Sequence, residues 1–382
     1  MRDVSFSKAE LERYSRHLII PEFNIEGQKR LKAAKVLVVG SGGLGSPLLL
    51  YLAAAGVGTL GIVDFDIVEE TNLQRQVLFG VECIGRPKVE VAKERLQKLN
   101  PHINIITYNT HLQSSNAIDI AKDYDVVADG TDNFPTRYLV NDVSVMLNIP
   151  NVYASIFRFE GQVSVFNYIG EDGTQGPQYR DLFPSPPPPG LVPSCAEGGV
   201  IGVLPGIIGS LQANEVIKVI TGIGEPLSGR LFLFDALTFT TRTLKIAPNP
   251  DTPMITELID YQMFCGFTPS SQSNLEKVPE ITVHELERLQ NLKEDFQLID
   301  VRETYEYHIS NLGAELIPLD QLEKHIDQIA RDKKVILHCR TGKRSADAIR
   351  MLQEKHDFSN LLNLRGGILA YADEIDSSLA KY

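Results

Sequence analysis

Short apolar runs alternate with amphipathic stretches from Val36 to about Pro150. The runs VLVVG, LGIVDFD, INIITYN and DVVADGTD have the apolar, β-branched character of buried parallel strands. Helical periodicity fills the interval PKVEVAKERLQKL, which closes at Asn100-Pro101, because proline cannot continue a helix. Strand–helix alternation of this kind predicts an α/β domain with a doubly wound, Rossmann-like sheet.

The pattern changes after residue 150, where hairpin signals replace strand–helix units. RFEGQVSVFNY predicts a β-hairpin that turns at Glu160-Gly161, and RLFLFDALTFTTRTLKI predicts a second antiparallel pair. A proline-rich stretch with no helix or strand period, PSPPPPGLVPSCAEGG, lies between them; long loops of this kind are commonly functional. We therefore expect an antiparallel extension on the parallel sheet.

A second α/β pattern occupies the last hundred or so residues. It contains the strands FQLIDVR, KKVILHC and NLLNL and the helix SADAIRMLQEK. The segment before it has turn-rich ends, NPDTP and TPSSQSN, which are typical of a linker. We predict a first domain at 1–247, a linker at 248–279 and a second domain at 280–382.

Composition adds bounds to this picture. A chain of 382 residues is too long for one ordinary core, and 43% hydrophobic residues suit a globular protein. The net charge of −12 argues against nucleic acid or an anionic membrane as the main partner. The four cysteines are widely spaced, and the N-terminal stretch lacks an apolar signal core, so we expect a cytoplasmic protein. The apolar stretch around 198–211 contains glycines and a proline, which favours a buried helix over a membrane span.

The first strand runs into a glycine-rich turn. Gly40, Gly42 and Gly45 have the G-x-G-x-x-G spacing that lets a backbone press its N–H groups against a phosphate at a helix N-terminus. The second strand ends at Asp64, which is placed to bond a ribose hydroxyl. This spacing predicts a nucleotide site, and an NAD(P)-dependent oxidoreductase is an alternative at this point.

The polar residues that follow favour a triphosphate. Cations at Arg75 and Lys88, with a carboxylate at Asp132 for a metal, suit ATP and Mg²⁺ better than a dinucleotide. Several further polar side chains follow the same strands, whose carboxyl ends bind ligands in open α/β sheets. These further candidates are Asp66, Asn72, Gln76 and Asn133.

Residues 1 to about 250 resemble the MoeB/ThiF group of ubiquitin-activating-type adenylyltransferases. The resemblance is carried by GSGGLG, DFD, TNLQRQ, GRPK, NPH, GTDN, RFEGQ and CAEGGV. It implies that Asp132 holds Mg²⁺ and that Arg16 reaches the ATP of a partner subunit in a homodimer. It also implies contacts with ATP from Gly43, Asp64, Asn72, Arg75 and Lys88. The family reaction joins AMP to the C-terminal glycine carboxylate of a ubiquitin-like sulfur carrier of the MoaD/ThiS type.

One departure from that family concerns zinc. Many relatives carry two C-x-x-C pairs, whereas the corresponding segments here read QYRD, from Gln178 to Asp181, and DTPMI, from Asp251. A tetrahedral zinc site of that kind needs thiolates. We therefore expect no zinc.

Two cysteines are candidates for sulfur chemistry. Cys339 begins CRTGKRS between a predicted strand and a helix, where backbone N–H groups, Arg340, Lys343 and Arg344 favour a thiolate or an anionic persulfide. Residues from about 280 onward resemble a rhodanese domain, on LIDVRETYEY, HCRTGKRS and LRGGILAY. By the first resemblance, Cys195 in SCAEGGV accepts the activated carrier.

The remaining cysteines carry no chemical signal. Cys83 lies among apolar residues and is interpreted as packing, and Cys265 is assigned no role. By the rhodanese resemblance, Asp300 and Arg302 are interpreted as structural. His338 adjoins Cys339, but neighbouring strand residues point to opposite faces, so it is not assigned as a base.

The fusion suggests one function for the whole chain, similar to MoeZ-like adenylyltransferase–sulfurtransferases. The first domain makes an acyl-adenylate, and a persulfide on Cys339, loaded by a cysteine desulfurase or another donor, supplies sulfur for a C-terminal thiocarboxylate. Three alternatives stay open: an NAD(P)-dependent oxidoreductase, an activating enzyme for protein conjugation, and a module that binds a carrier without chemistry.

Overall fold

A computed structural model describes residues 4–170, 172–188, 198–266 and 278–382 of the chain. The chain divides into two compact units, Met1–Pro269 and Ser270–Tyr382. Within the described ranges, no helix has the length and apolar character of a transmembrane span.

The first unit is built on an eight-stranded sheet with the order β3-β2-β1-β4-β5-β6-β7-β8. The strands from β3 to β5 run parallel, and β5 to β8 form antiparallel pairs. The predicted Rossmann-like sheet with an antiparallel extension is therefore confirmed. The strands are β1 Lys35–Val39, β2 Thr59–Val63, β3 Asn104–Tyr108, β4 Val126–Asp129, β5 Asn151–Phe157, β6 Glu160–Phe166, β7 Arg230–Asp235 and β8 Thr240–Lys245.

The helices of this unit cover the sheet. The described helices are α1 Lys8–Arg13, α2 Ser15–Leu18, α3 Asn24–Ala33, α4 Gly45–Ala55, α5 Lys88–Leu99, α6 Ala117–Ala121, α7 Phe134–Leu147, α8 Tyr179–Leu182, α9 Leu204–Thr221 and α10 Tyr261–Phe264. Helix α4 is the first crossover, and its buried Leu48, Leu49 and Leu52 pack in one core cluster with Val36 and Val38 of β1. Burial on this side fixes the glycine turn that joins β1 to α4.

The β5–β6 hairpin turns two residues earlier than the sequence predicted. Phe157 pairs with Glu160, so the turn consists of Arg158 and Phe159, with Arg158 at φ 52°. Gly161 already lies in β6, where an added Cβ would come within 2.3 Å of the Ile208 side chain on α9. Gly161 therefore allows a close contact between α9 and the sheet and is not part of the turn. The turn was predicted there because glycine has a high turn propensity.

Part of the predicted linker is folded onto the first unit. Tyr261 and Cys265 are 5% and 3% exposed, and the Tyr261 hydroxyl donates to Asp142 at 2.7 Å. Asp142 also accepts two hydrogen bonds from Arg180, at 2.8 and 2.7 Å. Burial raises the pKa of Cys265 to about 11, which suits a packing residue. The exact linker bounds stay a prediction, because 267–277 lie outside the described residues.

The segments QYRD and DTPMI meet through hydrogen bonds. Thr252 Oγ1 donates to Asp181 Oδ1 at 2.6 Å, and the second oxygen of Asp181 accepts the Gln178 amide at 2.8 Å. In the described part of the chain, no three His, Cys, Asp or Glu side chains cluster as a metal site would require. These contacts supply an anchor for the two segments, and the absence of zinc stays a prediction.

The second unit has a five-stranded parallel sheet with the order β11-β10-β12-β13-β9. Its strands are β9 Glu280–Ile281, β10 Phe296–Asp300, β11 Glu315–Leu316, β12 Lys334–His338 and β13 Leu361–Leu364. Its α-helices are α11 Val283–Leu292, α12 Thr304–Ile309, α13 Lys343–His356 and α14 Gly367–Glu374. The predicted strands and helix are present. Strands β9 and β11 were not predicted, because two residues carry no periodicity.

His338 is an unsatisfied polar group at the end of β12. Its side chain is fully buried, and among the described residues neither ring nitrogen has a hydrogen-bond partner. Burial lowers its pKa to about 4, although Asp300, 3.6 Å from Nε2, raises it. The folded unit therefore holds this imidazole neutral.

We expect the chain to lose stability as the pH falls from the ordinary histidine pKa toward 4. In that window the unfolded state binds a proton at His338 that the folded state excludes, which costs about 3 kcal/mol at its acid end. Urea unfolding of the full chain at several pH values, followed by circular dichroism, measures this loss. A His338→Gln variant should show a flatter pH dependence, and equal slopes for both proteins would contradict the expectation.

Candidate functional site

A cavity of about 1010 Å³ lies in the first unit, beyond the carboxyl ends of β1, β2 and β4. Open α/β sheets bind ligands at this position. The residues predicted from the sequence that line it are Gly40, Gly42, Gly43, Asp64, Asp66, Asn72, Arg75, Gln76, Lys88, Asp132 and Asn133. Residues far apart along the chain are therefore brought to one site.

The turn between β1 and α4 is as tight as the glycine spacing predicted. A Cβ on Gly45 would lie 2.0 Å from the carbonyl oxygen of Gly40, which no side chain permits. Gly42, Gly43 and Leu44 line the cavity just before the helix begins. The N-terminus of α4 thus lies beside open space, where its N–H groups and dipole favour an anion.

Asp64 organises the loop that follows β2 and also faces the cavity. Its Oδ2 accepts hydrogen bonds from the backbone amide and hydroxyl of Ser41, at 2.8 and 2.7 Å. Its Oδ1 accepts the Asp66 amide at 2.9 Å. Asp64 therefore ties the glycine turn to the end of β2 and presents a carboxylate in the cavity wall.

The two predicted cations differ in their surroundings. The Lys88 ammonium is 2.9 Å from Asp66, and its side chain is only 5% exposed. Arg75 Nη1 donates to the Thr71 carbonyl oxygen at 3.2 Å. The pair of Lys88 with Asp66 was not foreseen, because a contact between two loop ends depends on how those loops fold. Both cations still line the cavity with the exposed Asp132 carboxylate.

Sequence reasoning missed two buried ionisable side chains near the cavity, Arg137 and Asp129. Arg137 is 8% exposed, lines the cavity, and donates from Nη2 to the Thr131 carbonyl oxygen at 3.1 Å. Asp129 is 1% exposed, and burial raises the pKa of its carboxyl even though Arg137 opposes the shift. The sequence feature that could have indicated these residues is the arginine in the first turn of α7, a helix whose other positions are largely apolar.

Part of the cavity lining comes from segments that the sequence did not mark as functional. Residues 110–115, after β3, and residues 258–262, from the predicted linker, contribute to the lining. The Phe65 and His111 rings stack there with centroids 3.4 Å apart. A cavity lined by these stacked rings as well as by cations and a glycine turn suits a ligand that has both a flat ring and phosphates.

The donor set fits a nucleoside triphosphate. Two cations and the α4 N-terminus match its negative charge, and Asp132 offers a hard oxygen ligand of the type that Mg²⁺ prefers. Gln76 is 4% exposed, lines the cavity, and its Oε1 has no hydrogen-bond partner among the described residues. An unsatisfied buried oxygen in the wall is an acceptor that a ligand hydroxyl or amine satisfies.

Cys339 follows β12 in the second unit, at the carboxyl end of its parallel sheet. Its Sγ accepts the Gly342 amide at 3.2 Å and lies 3.5 Å from the Ser345 hydroxyl. The amide of Ile368, at the start of α14, donates to the Cys339 carbonyl oxygen at 2.9 Å. The side chain is 1% exposed, so the resting loop encloses the sulfur and gives it polar as well as apolar neighbours.

Two of the three predicted loop cations are engaged. Arg344 donates two hydrogen bonds to Glu306, at 2.6 and 2.7 Å, and Arg340 Nε donates to the Tyr382 carbonyl oxygen at 2.6 Å. Burial opposes the shift, but the hydrogen bond from Arg344 holds the pKa of Glu306 below its ordinary value. Partners elsewhere in the unit fix the orientation of Arg340 and Arg344, and the effect of the loop cations on the Cys339 sulfur stays a prediction.

The other candidates are placed as follows. Cys195 lies outside the described residues. Gly45 follows Leu44, which lines the cavity, but Gly45 is not itself a lining residue. Arg16 is exposed on α2 and does not line the cavity of its own chain, so its contact with a partner's ATP stays a prediction. Cys83 is 3% exposed and packs in the core of the first unit.

Known proteins match both units. A Mycobacterium tuberculosis protein named probable adenylyltransferase/sulfurtransferase MoeZ is 49% identical over 381 residues, which cover 99% of this chain and 97% of that protein. A Thermus thermophilus sulfur carrier protein adenylyltransferase is 54% identical over 267 residues, 68% of this chain and 98% of that protein. The crystal structure of Escherichia coli MccB with ATP superposes with a TM-score of 0.53 at 25% identity, covering 63% of this chain and 73% of MccB.

Two family descriptions also match, and each falls within one compact unit. The ThiF family matches residues 14–254, and the rhodanese-like domain matches residues 282–374. The chain belongs to the ThiF family and carries a rhodanese-like domain after its ThiF region.

Proposed function

We propose that this chain activates the C-terminal carboxylate of a ubiquitin-like sulfur-carrier protein with ATP and then exchanges the activated oxygen for sulfur held on Cys339. The chain is an adenylyltransferase and sulfurtransferase, as its relatives are named. Neither the oxidoreductase nor the conjugation alternative is favoured by those relatives. The single observation that carries the proposal is one chain holding both a cationic, glycine-lined cavity and a cysteine whose sulfur accepts a backbone N–H from the loop that follows it.

The first step needs alignment and charge neutralisation. A C-terminal carboxylate has a pKa of about 3.5, so it is already an anion and needs no general base. Its oxygen attacks the α-phosphorus of ATP, the bond to the β-phosphate oxygen breaks, and pyrophosphate leaves. Arg75, Lys88 and the residues before the α4 N-terminus line the cavity, and in this proposal they neutralise the phosphates. Mg²⁺ held by Asp132 would supply further charge neutralisation for the leaving group.

The second step moves sulfur. A persulfide on Cys339, loaded by a cysteine desulfurase or another donor, places its reacting sulfur about 2 Å beyond the enclosed Sγ. That outer sulfur attacks the acyl carbon and expels AMP, which leaves an acyl disulfide between the carrier and Cys339. A thiol then attacks the Cys339 sulfur, forms a disulfide with it and releases the carrier thiocarboxylate. The role of Cys195, which the resemblance gives as the acceptor of the activated carrier, stays a prediction.

A homodimer completes the proposal. Arg16 is exposed on α2 and is not among the described residues that line the cavity of its own chain, and the family resemblance is what supports its contact with ATP in a partner subunit. An added cation near the phosphates increases charge neutralisation in the first step.

Mass spectrometry of candidate carriers tests this function. Each carrier is incubated with the full chain, ATP, Mg²⁺ and a persulfide donor, with ATP omitted as the control. We expect one carrier to exchange a single C-terminal oxygen for sulfur, and only with ATP. A carrier that becomes adenylated but never gains sulfur, or that becomes joined to another protein, would overturn the assignment.

A further inference from the structure

Tyr382 lies against the loop that holds Cys339, although 42 residues separate it from Arg340. Its carbonyl oxygen accepts a hydrogen bond from Arg340 Nε, and the Arg340 guanidinium lies 5.5 Å from the centre of its ring. The Ala380 carbonyl oxygen accepts the Ser310 hydroxyl at 3.0 Å, which ties the same segment to the end of α12. Tyr382 therefore contacts one of the cations that flank the sulfur.

The Tyr382 hydroxyl reaches the second cation through Glu306. It donates to Glu306 Oε1 at 3.1 Å, and the same carboxylate holds both Nη atoms of Arg344. Glu306 is 5% exposed, so the loss of a partner leaves a buried carboxylate with fewer hydrogen bonds. Burial raises the pKa of Tyr382 to about 12, and the phenol keeps its proton at neutral pH.

The same hydroxyl is anchored to the most buried ion pair of the unit. Arg302 Nη1 donates to the Tyr382 hydroxyl, and Arg302 Nε donates to Asp300 at 2.9 Å. Arg302 and Asp300 are both fully buried, and Arg302 Nη2 donates to the Ser310 carbonyl oxygen at 2.8 Å. The buried Arg302–Asp300 pair thus fixes Tyr382, which contacts Arg340 directly and reaches Arg344 through Glu306.

We propose that Tyr382 is a positioning residue for sulfur transfer, which holds Arg340 and Arg344 in the orientation that binds an anionic sulfur donor and stabilises the Cys339 persulfide. The proposal rests on the function assigned to Cys339. Tyr382 acts through the two guanidinium groups and not on the reacting sulfur. A planar guanidinium gives directional hydrogen bonds only when its plane is fixed, so loosened arginines weaken anion binding more than they change the sulfur itself.

Sulfur transfer from thiosulfate to cyanide by the full chain provides the test. The Cys339 thiolate takes the outer sulfur of thiosulfate and releases sulfite, and cyanide then removes that sulfur as thiocyanate. For Tyr382→Ala we expect the KM for thiosulfate, a dianion, to rise about tenfold while kcat stays within about twofold. For Tyr382→Phe, which keeps the ring and loses only the hydroxyl, we expect a rise of about threefold.

Alkylation of Cys339 by reagents of different charge provides a second measurement. Its result would not change if Tyr382 had only a structural role. The ratio of the rates with anionic iodoacetate and neutral iodoacetamide reports the positive charge beside the sulfur. We expect this ratio to fall in the order wild type, Tyr382→Phe, Tyr382→Ala. Tyr371→Phe is the matched control, because Tyr371 donates to Gln290 at 2.9 Å within the same unit.

The outcomes separate the two proposals. An unchanged KM with a lowered kcat, or equal acceleration with both alkylating reagents, would overturn the positioning role; the latter would show that Tyr382 only closes the loop. The wild-type chain could instead form thiocyanate through Cys339 and never give carrier thiocarboxylate. That result would contradict the proposed function but not the positioning role of Tyr382.

Discussion

Replacement of Cys339 by serine should abolish thiocarboxylate formation and leave ATP–pyrophosphate exchange at the wild-type rate. Serine cannot carry a persulfide, so the expected loss of sulfur transfer is about a thousandfold or more. We assign adenylation to the first unit, and every described residue that lines its cavity belongs to that unit. Mass spectrometry of the carrier and a radioactive exchange assay measure the two activities on one protein preparation.

Cys265→Ala is the matched control for this experiment. Cys265 is also buried, at 3% exposure, but it packs in the core of the first unit beside α10. It should retain both activities apart from a modest loss of stability. Thiocarboxylate formation by Cys339→Ser at more than a small fraction of the wild-type rate would show that sulfur reaches the carrier by another route.

Replacement of Asp132 or Arg75 by alanine should have the converse effect. Each change removes charge neutralisation at the phosphates, so we expect ATP–pyrophosphate exchange to fall by about a hundredfold to a thousandfold. Sulfur transfer from thiosulfate to cyanide should stay within about twofold of wild type, since that reaction uses only the Cys339 loop. Exchange and thiocyanate formation, assayed side by side, measure this separation.

Asp119→Ala serves as the control for the loss of a carboxylate. Asp119 pairs with Lys122 on the exposed surface of the same unit and does not line the cavity. Its exchange activity should equal that of wild type. Exchange that survives in both Asp132→Ala and Arg75→Ala would contradict the placement of the phosphates in this cavity.

The sequence predicted the parts of the nucleotide site that depend on local geometry. Glycine spacing after a buried strand and a carboxylate at the end of the next strand follow from chain order alone, and the structure brings these residues to one cavity. The Lys88–Asp66 pair and the buried Asp129 beside Arg137 were not foreseen. Such contacts depend on how loops from different strands fold together, and periodicity carries no information about that.

The same limit applies at longer range. Residues 258–262 were predicted to be part of a linker, yet they line the cavity. Burial of Tyr261 against Asp142 and α7 outweighs the local turn propensity of this segment. In the second unit the Cys339 loop was evident from CRTGKRS. The cations of this loop, however, are oriented by Glu306 and Tyr382. These two residues lie far from CRTGKRS in the sequence, so the spacing of the motif does not predict the contacts.

The central claim is that the sulfur atom gained by the carrier comes from Cys339 and enters only after adenylation. The full chain is loaded on Cys339 with isotopically heavy sulfur, separated from the donor, and given one equivalent of carrier with ATP and Mg²⁺ for a single turnover. The account predicts one heavy sulfur atom at the carrier C-terminus, and none when ATP is replaced by a non-hydrolysable analogue that cannot form the adenylate. A carrier that gains only light sulfur, or gains heavy sulfur without ATP, would contradict it.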